Sequence, residues 1–366
     1  MLKRLLTGWL GLALMVVVSL AGAEPAHYKI VTGPERGTYI QIGQDLSKWV
    51  AQPAGIDLDV VASKGSAENV QRMRFEAGVK LALVQSDVYQ AYIDMANAGN
   101  ADAGTTIRPL RLIMPLYDEE INVVVRADSP LKTFADIKDK SISVGLFGSG
   151  TAQTATTLYH LMFGQTIPEQ NIQHLSNEDA LAALIVKKVD VAIIVVGQPA
   201  KLFNDMNPEL LQQIRLLKVD PAAPETTRAK QTYFPTTIRA ASYPNWLKED
   251  VPTLTVKAFL VTYDYGLRDT VSNLNRFADS LCENFDVLQE KGHPKWKQVK
   301  LELPPLTKGW QYYPPIERHL RSCIARRASM PAGGATAAAV QQQPAAPKVN
   351  KRPCSDQERL LLLCGK

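Results

Sequence analysis

Cysteine and histidine are scarce: the 366-residue chain has four of the first and five of the second. No CxxC or HxxxH pattern occurs, so a metal cluster is not expected. His27, His160, His174, His293 and His319 stand in unrelated contexts. The sequence links no nucleophile, base and orienting group, so neither an enzyme nor a cofactor is expected. Strong charge is missing too. The net charge of +5 is modest and dispersed, which implies no nucleic-acid surface. The long apolar run near the start, residues 9–20, is too short to span a bilayer comfortably. With Lys3 and Arg4 before it and Ala21-Gly22-Ala23 after it, it reads as an export signal over 1–23. A periplasmic protein of Gram-negative type, starting near Glu24, is the expectation.

What is present is organised around residues 141–163. Ile142, Val144 and Leu146 alternate as in a strand, Gly145, Gly148 and Gly150 mark a sharp turn, and a helix-compatible run follows. Ser149 or Thr151 is placed to cap that helix. Known glycine motifs do not fit. Thr151 sits where a P-loop needs lysine, Gln153 where a dinucleotide fingerprint needs glycine, and Phe147 and Thr151 where a nucleophile elbow needs glycines. Two readings remain: a socket for a small anion at a helix start, or a tight turn without a ligand.

Taken in order, the chain alternates strands and helices. Strands are expected at 27–32, 58–62 and 81–84, with helices at 39–50 and 67–78. This β-α-β-α-β order implies a parallel sheet, with ligands at the carboxyl ends of its strands. Strands at 111–115 and 121–125 follow, joined through a connection at 116–120. The pattern then repeats through 142–146, 171–175, 191–196 and 214–219. A strand at 253–263 is long enough to return to the first half, and a single helix is expected over 269–291. Two crossings, near 125 and near 255, imply an α/β chain of two lobes with a hinge and an interlobe cleft. The expected division is 24–125 plus 253–327 for one lobe and 126–252 for the other. Residues 328–353, rich in Ala, Gln and Pro, read as a disordered linker, followed by a cysteine-flanked tail at 354–366. Cys282 with Cys323 and Cys354 with Cys364 are candidate disulfides, though four cysteines allow three pairings.

Short hydrogen-bonding groups gather at the strand ends: Thr32, Thr38, Tyr39, Ser63, Ser66, Asn69, Ser86, Ser149 and Thr151. They suit a polar ligand held by neutral donors and backbone amides. Lys64 either pairs with a ligand carboxylate or is a solvated turn residue. Arg36, beside Glu35, reads as solvated.

Three stretches, TGPERGTYIQIG, KGSAENVQRM with LALVQSD, and VGLFGSGTAQTA, occur in an order and spacing that resemble the TAXI family of solute-binding receptors of TRAP transporters. The likeness runs from about His27 to about Leu320. It implies a two-lobed, type II periplasmic-binding-protein fold that captures a glutamate-like amino acid or a dicarboxylate. It also implies delivery of that acid to integral membrane TRAP subunits. By match, the ligand shell draws on Thr32, Gly33, Thr38, Tyr39, Ser66, Asn69, Gln85, Ser86, Ser149, Gly150, Thr151, Gly197 and Gln198. The family usually has glycine where Lys64 stands, and it lacks the linker and tail. A monomeric transport receptor is therefore expected. The alternative is a periplasmic module that presents its ligand state to a membrane sensor.

Overall fold

A computed structural model describes residues 25–329. The expected export signal, nearly all of the expected linker and the Cys354–Cys364 pair lie outside the described residues. Ten strands form one mixed sheet. β1 (Ala26–Val31) pairs in parallel with β2 (Ile56–Val61) and β3 (Val79–Gln85). The sheet continues through β4 (Leu110–Arg126), β5 (Ile142–Ser143), β6 (Ile172–Gln173), β7 (Val191–Val196), β8 (Ile214–Leu216), β9 (Phe234–Ile238) and β10 (Val251–Tyr263). Its order is β2-β1-β3-β10-β4-β7-β5-β6, with β8 paired to β4 and β9 to β10. Between strands run α1 (Thr38–Leu46), α2 (Ser66–Phe75), α3 (Ser86–Asn97), α4 (Ala101–Ile107), α5 (Gly150–Phe163) and α6 (Asn177–Ile185).

β4 and β10 decide the architecture. They are the longest strands, at 17 and 13 residues, and they run antiparallel side by side. On β4 the residues up to Tyr117 pack into one hydrophobic core, and those from Ile121 onward into two others. On β10 the same change falls between Val256 and Ala258. The molecule is thus an α/β protein of two lobes joined by this ribbon. At the change of core, Asp118, Glu119 and Glu120 face Lys257, Val256 and Thr255 in register. The first crossing was expected near 125, and the cores change over earlier on β4.

Two expectations are corrected. The connection expected at 116–120 is continuous strand. Its acidic residues look like loop formers in sequence, but tertiary partners satisfy two of the three: Lys257 pairs with Asp118 at 2.5 Å and Lys295 with Glu120 at 2.6 Å. The single helix expected at 269–291 is two, Arg268–Glu283 and Phe285–Lys291. Asn284 divides them, its amide donating to the Ser280 carbonyl at 3.0 Å, the local competition by which Asn ends helices. Cys282 and Cys323 are bonded, tying the first of these helices to the helix Pro314–Ser329.

Candidate functional site

The turns at the carboxyl ends of β1, β2 and β3 face the glycine-rich turn before α5. Gly145 and Gly148 take positive φ angles of 89° and 85°, a region that disfavours side chains, and this reverses the chain after the short β5. Ser149 is the N-cap of α5, its hydroxyl accepting from the Ala152 N–H at 3.0 Å. Between these turns lies a cavity of about 140 Å³. At the order of 10–15 Å³ per water-sized group, it has room for roughly ten such groups. That is the scale of a small metabolite.

Helix starts dominate its wall. Gly37, Gly65, Gln85, Ser149 and Ser176 are the N-caps of α1, α2, α3, α5 and α6, and all five line the cavity. Three come from the first lobe and two from the second. Each brings the positive end of a helix dipole to the wall, with first-turn N–H groups that have no carbonyl partner within the helix, some of them capped by Ser149 and Ser176. Among the described residues, no lysine or arginine except Lys64 lines the space. Lys64 is exposed, so an ion pair made there would contribute ~1 kcal/mol or less.

The lobes meet around the cavity. Thr38 Oγ1 donates to the Gly197 carbonyl at 2.7 Å, and the Glu68 N–H donates to the Gly148 carbonyl at 2.8 Å. Buried Asp87 accepts from Thr154 Oγ1 at 2.6 Å and from the Tyr233 hydroxyl at 3.0 Å. Gly65 and Gly150 sit against each other: a Cβ on Gly65 would lie 3.2 Å from the Gly150 nitrogen.

Among the expected site residues, Gly33, Thr38, Tyr39, Lys64, Ser66, Gln85, Ser149, Gly150 and Thr151 line the cavity. Five do not. Thr32 spends its hydroxyl on the Val61 carbonyl at 2.8 Å. Asn69 donates to the carbonyls of Thr32 and Leu83, holding β1 and β3 to α2. Ser86 opens α3 without reaching the space. Gly197 is packed against Lys295, Tyr117 and Thr38. Gln198 is fully used: its amide donates to Glu120 Oε1 and the Thr237 carbonyl, and accepts from Arg239 N–H and the Ser242 hydroxyl. For Thr32, Asn69 and Gln198 the cause is shared. A short polar side chain beside a strand end bonds either a ligand or the neighbouring backbone, and local sequence looks the same for both.

One residue was missed. Glu119 lines the cavity from the middle of β4 and is only 4% exposed. Burial lifts its carboxyl to about 8, against the opposing influence of nearby Tyr39, Lys295 and Gln85. Its Oε2 atom, the Tyr39 hydroxyl and Gln85 Oε1 are all buried without a hydrogen-bond partner. Tyr39 and Gln85 nonetheless lie close enough to Glu119 to favour its ionised form. A pair of acids inside an otherwise β-branched run, EEINVVV, was the available signal.

The NMT1-like family model matches residues 30–308, and the chain belongs to that family. Among solved structures it is similar to the alkanesulfonate-binding protein SsuA from Xanthomonas axonopodis pv. citri bound to MOPS. The two are 16% identical over 82% of this chain and 84% of that one, with a TM-score of 0.41. It is also similar to a periplasmic transporter, at 13% identity over 83% and 97% of the two chains and a TM-score of 0.46. A third is the substrate binding protein of an amino acid ABC transporter, at 13% identity over 74% and 100%, with a TM-score of 0.42.

Proposed function

We propose that the chain is a periplasmic solute receptor. It closes around one small organic anion, a glutamate-like amino acid or a dicarboxylate, and delivers it as a monomer to a TRAP-type membrane transporter. The observation that carries this reading is the convergence of five helix N-termini from both lobes on one small cavity. Each contributes about 0.3–1 kcal/mol toward a nearby negative charge, so several together hold a carboxylate without an arginine clamp. The proposed shell is Gly33, Thr38, Tyr39, Lys64, Ser66, Gln85, Ser149, Gly150 and Thr151. The proposed division is the expected one, 24–125 with 253–327 against 126–252, with its boundaries shifted to the changes of core, after Tyr117 on β4 and before Ala258 on β10.

Mechanism follows from the geometry. The turns after β1, β2 and β3 belong to one lobe and the α5 and α6 starts to the other, so a ligand touching both binds the closed form better than the open one. That difference in affinity drives closure. A thermal-shift screen of amino acids and dicarboxylates on the purified chain tests the reading. At least one organic anion should raise the melting temperature. If the folded, ligand-free chain responds to none of them, the receptor reading fails.

A further inference from the structure

Gln198 was expected in the ligand shell. It sits instead in a chain of polar contacts that runs from one lobe to the other beside the ribbon. At the centre of that chain is the Glu120 carboxylate, 1% exposed, where the cores change over on β4. From the first lobe, Lys295 Nζ donates to Glu120 Oε1 at 2.6 Å. From the second, the Gln198 side-chain amide donates to Oε1 at 2.9 Å and the Gln198 N–H to Oε2 at 2.8 Å. One buried carboxylate thus holds charge-assisted donors from both lobes.

Each end of the chain is anchored in its own lobe. Lys295 belongs to the segment Pro294–Gln298, whose Trp296 lies in the first-lobe core. Asp45 on α1 fixes that segment, accepting from the His293 N–H at 2.7 Å and from Trp296 Nε1 at 2.8 Å. Gln198 follows β7 and is held by the Thr237 carbonyl, the Arg239 N–H and the Ser242 hydroxyl. A second bond runs alongside. His293 Nδ1 accepts from the Lys295 N–H, so its Nε2 carries the proton and donates to the Pro199 carbonyl at 3.2 Å. The same turn reaches the cavity wall, because the Gly197 carbonyl accepts from Thr38.

Lys295 is wholly buried, and its three acceptors are Glu120 Oε1, the Asp118 carbonyl and Gln298 Oε1. Burial pulls its pKa down, while Glu120 and its other acidic neighbours oppose that shift and hold the charge. A buried ion pair adds little net stability over apolar residues of the same size; what it does well is select one arrangement. There is an arrangement here to select. Among the described residues the chain crosses between the cores only on β4 and β10, and a two-stranded ribbon twists as readily as it bends.

We propose that Lys295 and Glu120 are positioning residues: with Gln198 they form a third, non-covalent connection between the lobes, which fixes the axis of closure and so how the two halves of the cavity wall meet. This goes beyond the receptor reading and holds for any solute.

Small-angle scattering and hydrogen exchange on the ligand-free chain test it. Lys295→Met leaves Glu120 buried without its cation. The melting temperature should fall by several degrees and the Gln198 N–H should exchange about ten-fold faster or more. The radius of gyration should exceed the wild-type value. Lys295→Met with Glu120→Gln removes the stranded charge, so about half or more of the lost melting temperature should return. The radius should stay enlarged. An ion pair with no part in lobe geometry would lose and regain both together, so a radius that returns with the melting temperature overturns the proposal. A wild-type radius in Lys295→Met overturns it as well. Should Lys295→Met fail to fold, the double variant and Gln198→Ala, which keeps the ion pair, decide: enlarged radii support the connection and wild-type radii overturn it.

Discussion

At Gly150 a single hydrogen is all the space allows. A Cβ built there would lie 1.7 Å from Gln85 Oε1 and 2.9 Å from Ser66 Oγ, both on the opposite lobe. The clash is between lobes and not within a core. Gly150→Ala should therefore leave each lobe folded and oppose closure. We expect ligand affinity to fall ten-fold or more, with the melting temperature of the ligand-free chain nearly unchanged. Equal affinity in wild type and variant, measured by calorimetry, would show that the lobes do not need this contact. Lys64 illustrates the opposite situation: it lines the cavity, yet its exposure lets water compete with any partner.

Between elements, α3 and α5 are joined by one buried carboxylate. Asp87, 5% exposed in the first turn of α3, accepts from Thr154 on α5 and from Tyr233 beyond it. Charged hydrogen bonds of this kind contribute about 1.5–3 kcal/mol each. Asp87→Ala removes both, leaves the Thr154 hydroxyl unpaired and leaves Tyr233 only its long bond to the Thr154 carbonyl at 3.4 Å, so the open form should gain. Ligand affinity should drop by ten- to a hundred-fold, and small-angle scattering of the ligand-free chain should report a larger radius. Identical scattering and affinity would reduce Asp87 to a helix-start acid. The Cys282–Cys323 bridge acts within one lobe instead. It closes a sequence separation of 41 residues, for which chain entropy alone gives about 3–4 kcal/mol of stability. α2 shows how an element is read correctly while its side chains are misread. Its presence after the turn at 63–66 follows from local pattern, expected over 67–78 and found over Ser66–Phe75, but Asn69 turns out to stitch strands together.

For the molecule as a whole, the buried acids set a pH dependence of unusual sign. Glu119 titrates at about 8 in the folded chain against an ordinary 4.5, and burial also raises Asp87. Between those pH values the folded chain keeps a proton that the unfolded chain has lost, so stability falls as pH rises. His293, which burial lowers to about 4 from 6.5, contributes in the opposite sense, with stability rising between those values. In the window from about 6.5 to 8 the acid contribution runs in the same sense as that of exposed His27, whose imidazole Asp57 and Asp59 raise, and a substitution at Glu119 separates the two. The melting temperature of the ligand-free chain should decline across it, and Glu119→Gln should flatten the decline. A rise in wild type, or the same decline in Glu119→Gln, would contradict the burial of a neutral carboxyl there.

Much of this protein was legible residue by residue. Glycines, hydroxyls and β-branched runs act through nearest neighbours, so the turns at 33–38, 63–66 and 145–151 and most strands could be read before any contact was known. The two-lobed plan also followed, because strand and helix alternate and one late strand is long enough to return. Only the tertiary structure decided which polar groups remain for a ligand. Asn69 and Gln198 are consumed by backbone partners far off in sequence, and Glu119 is buried because β4 pairs with β10 across more than a hundred intervening residues. Desolvation depends on what surrounds a group in space, and no local pattern carries that information.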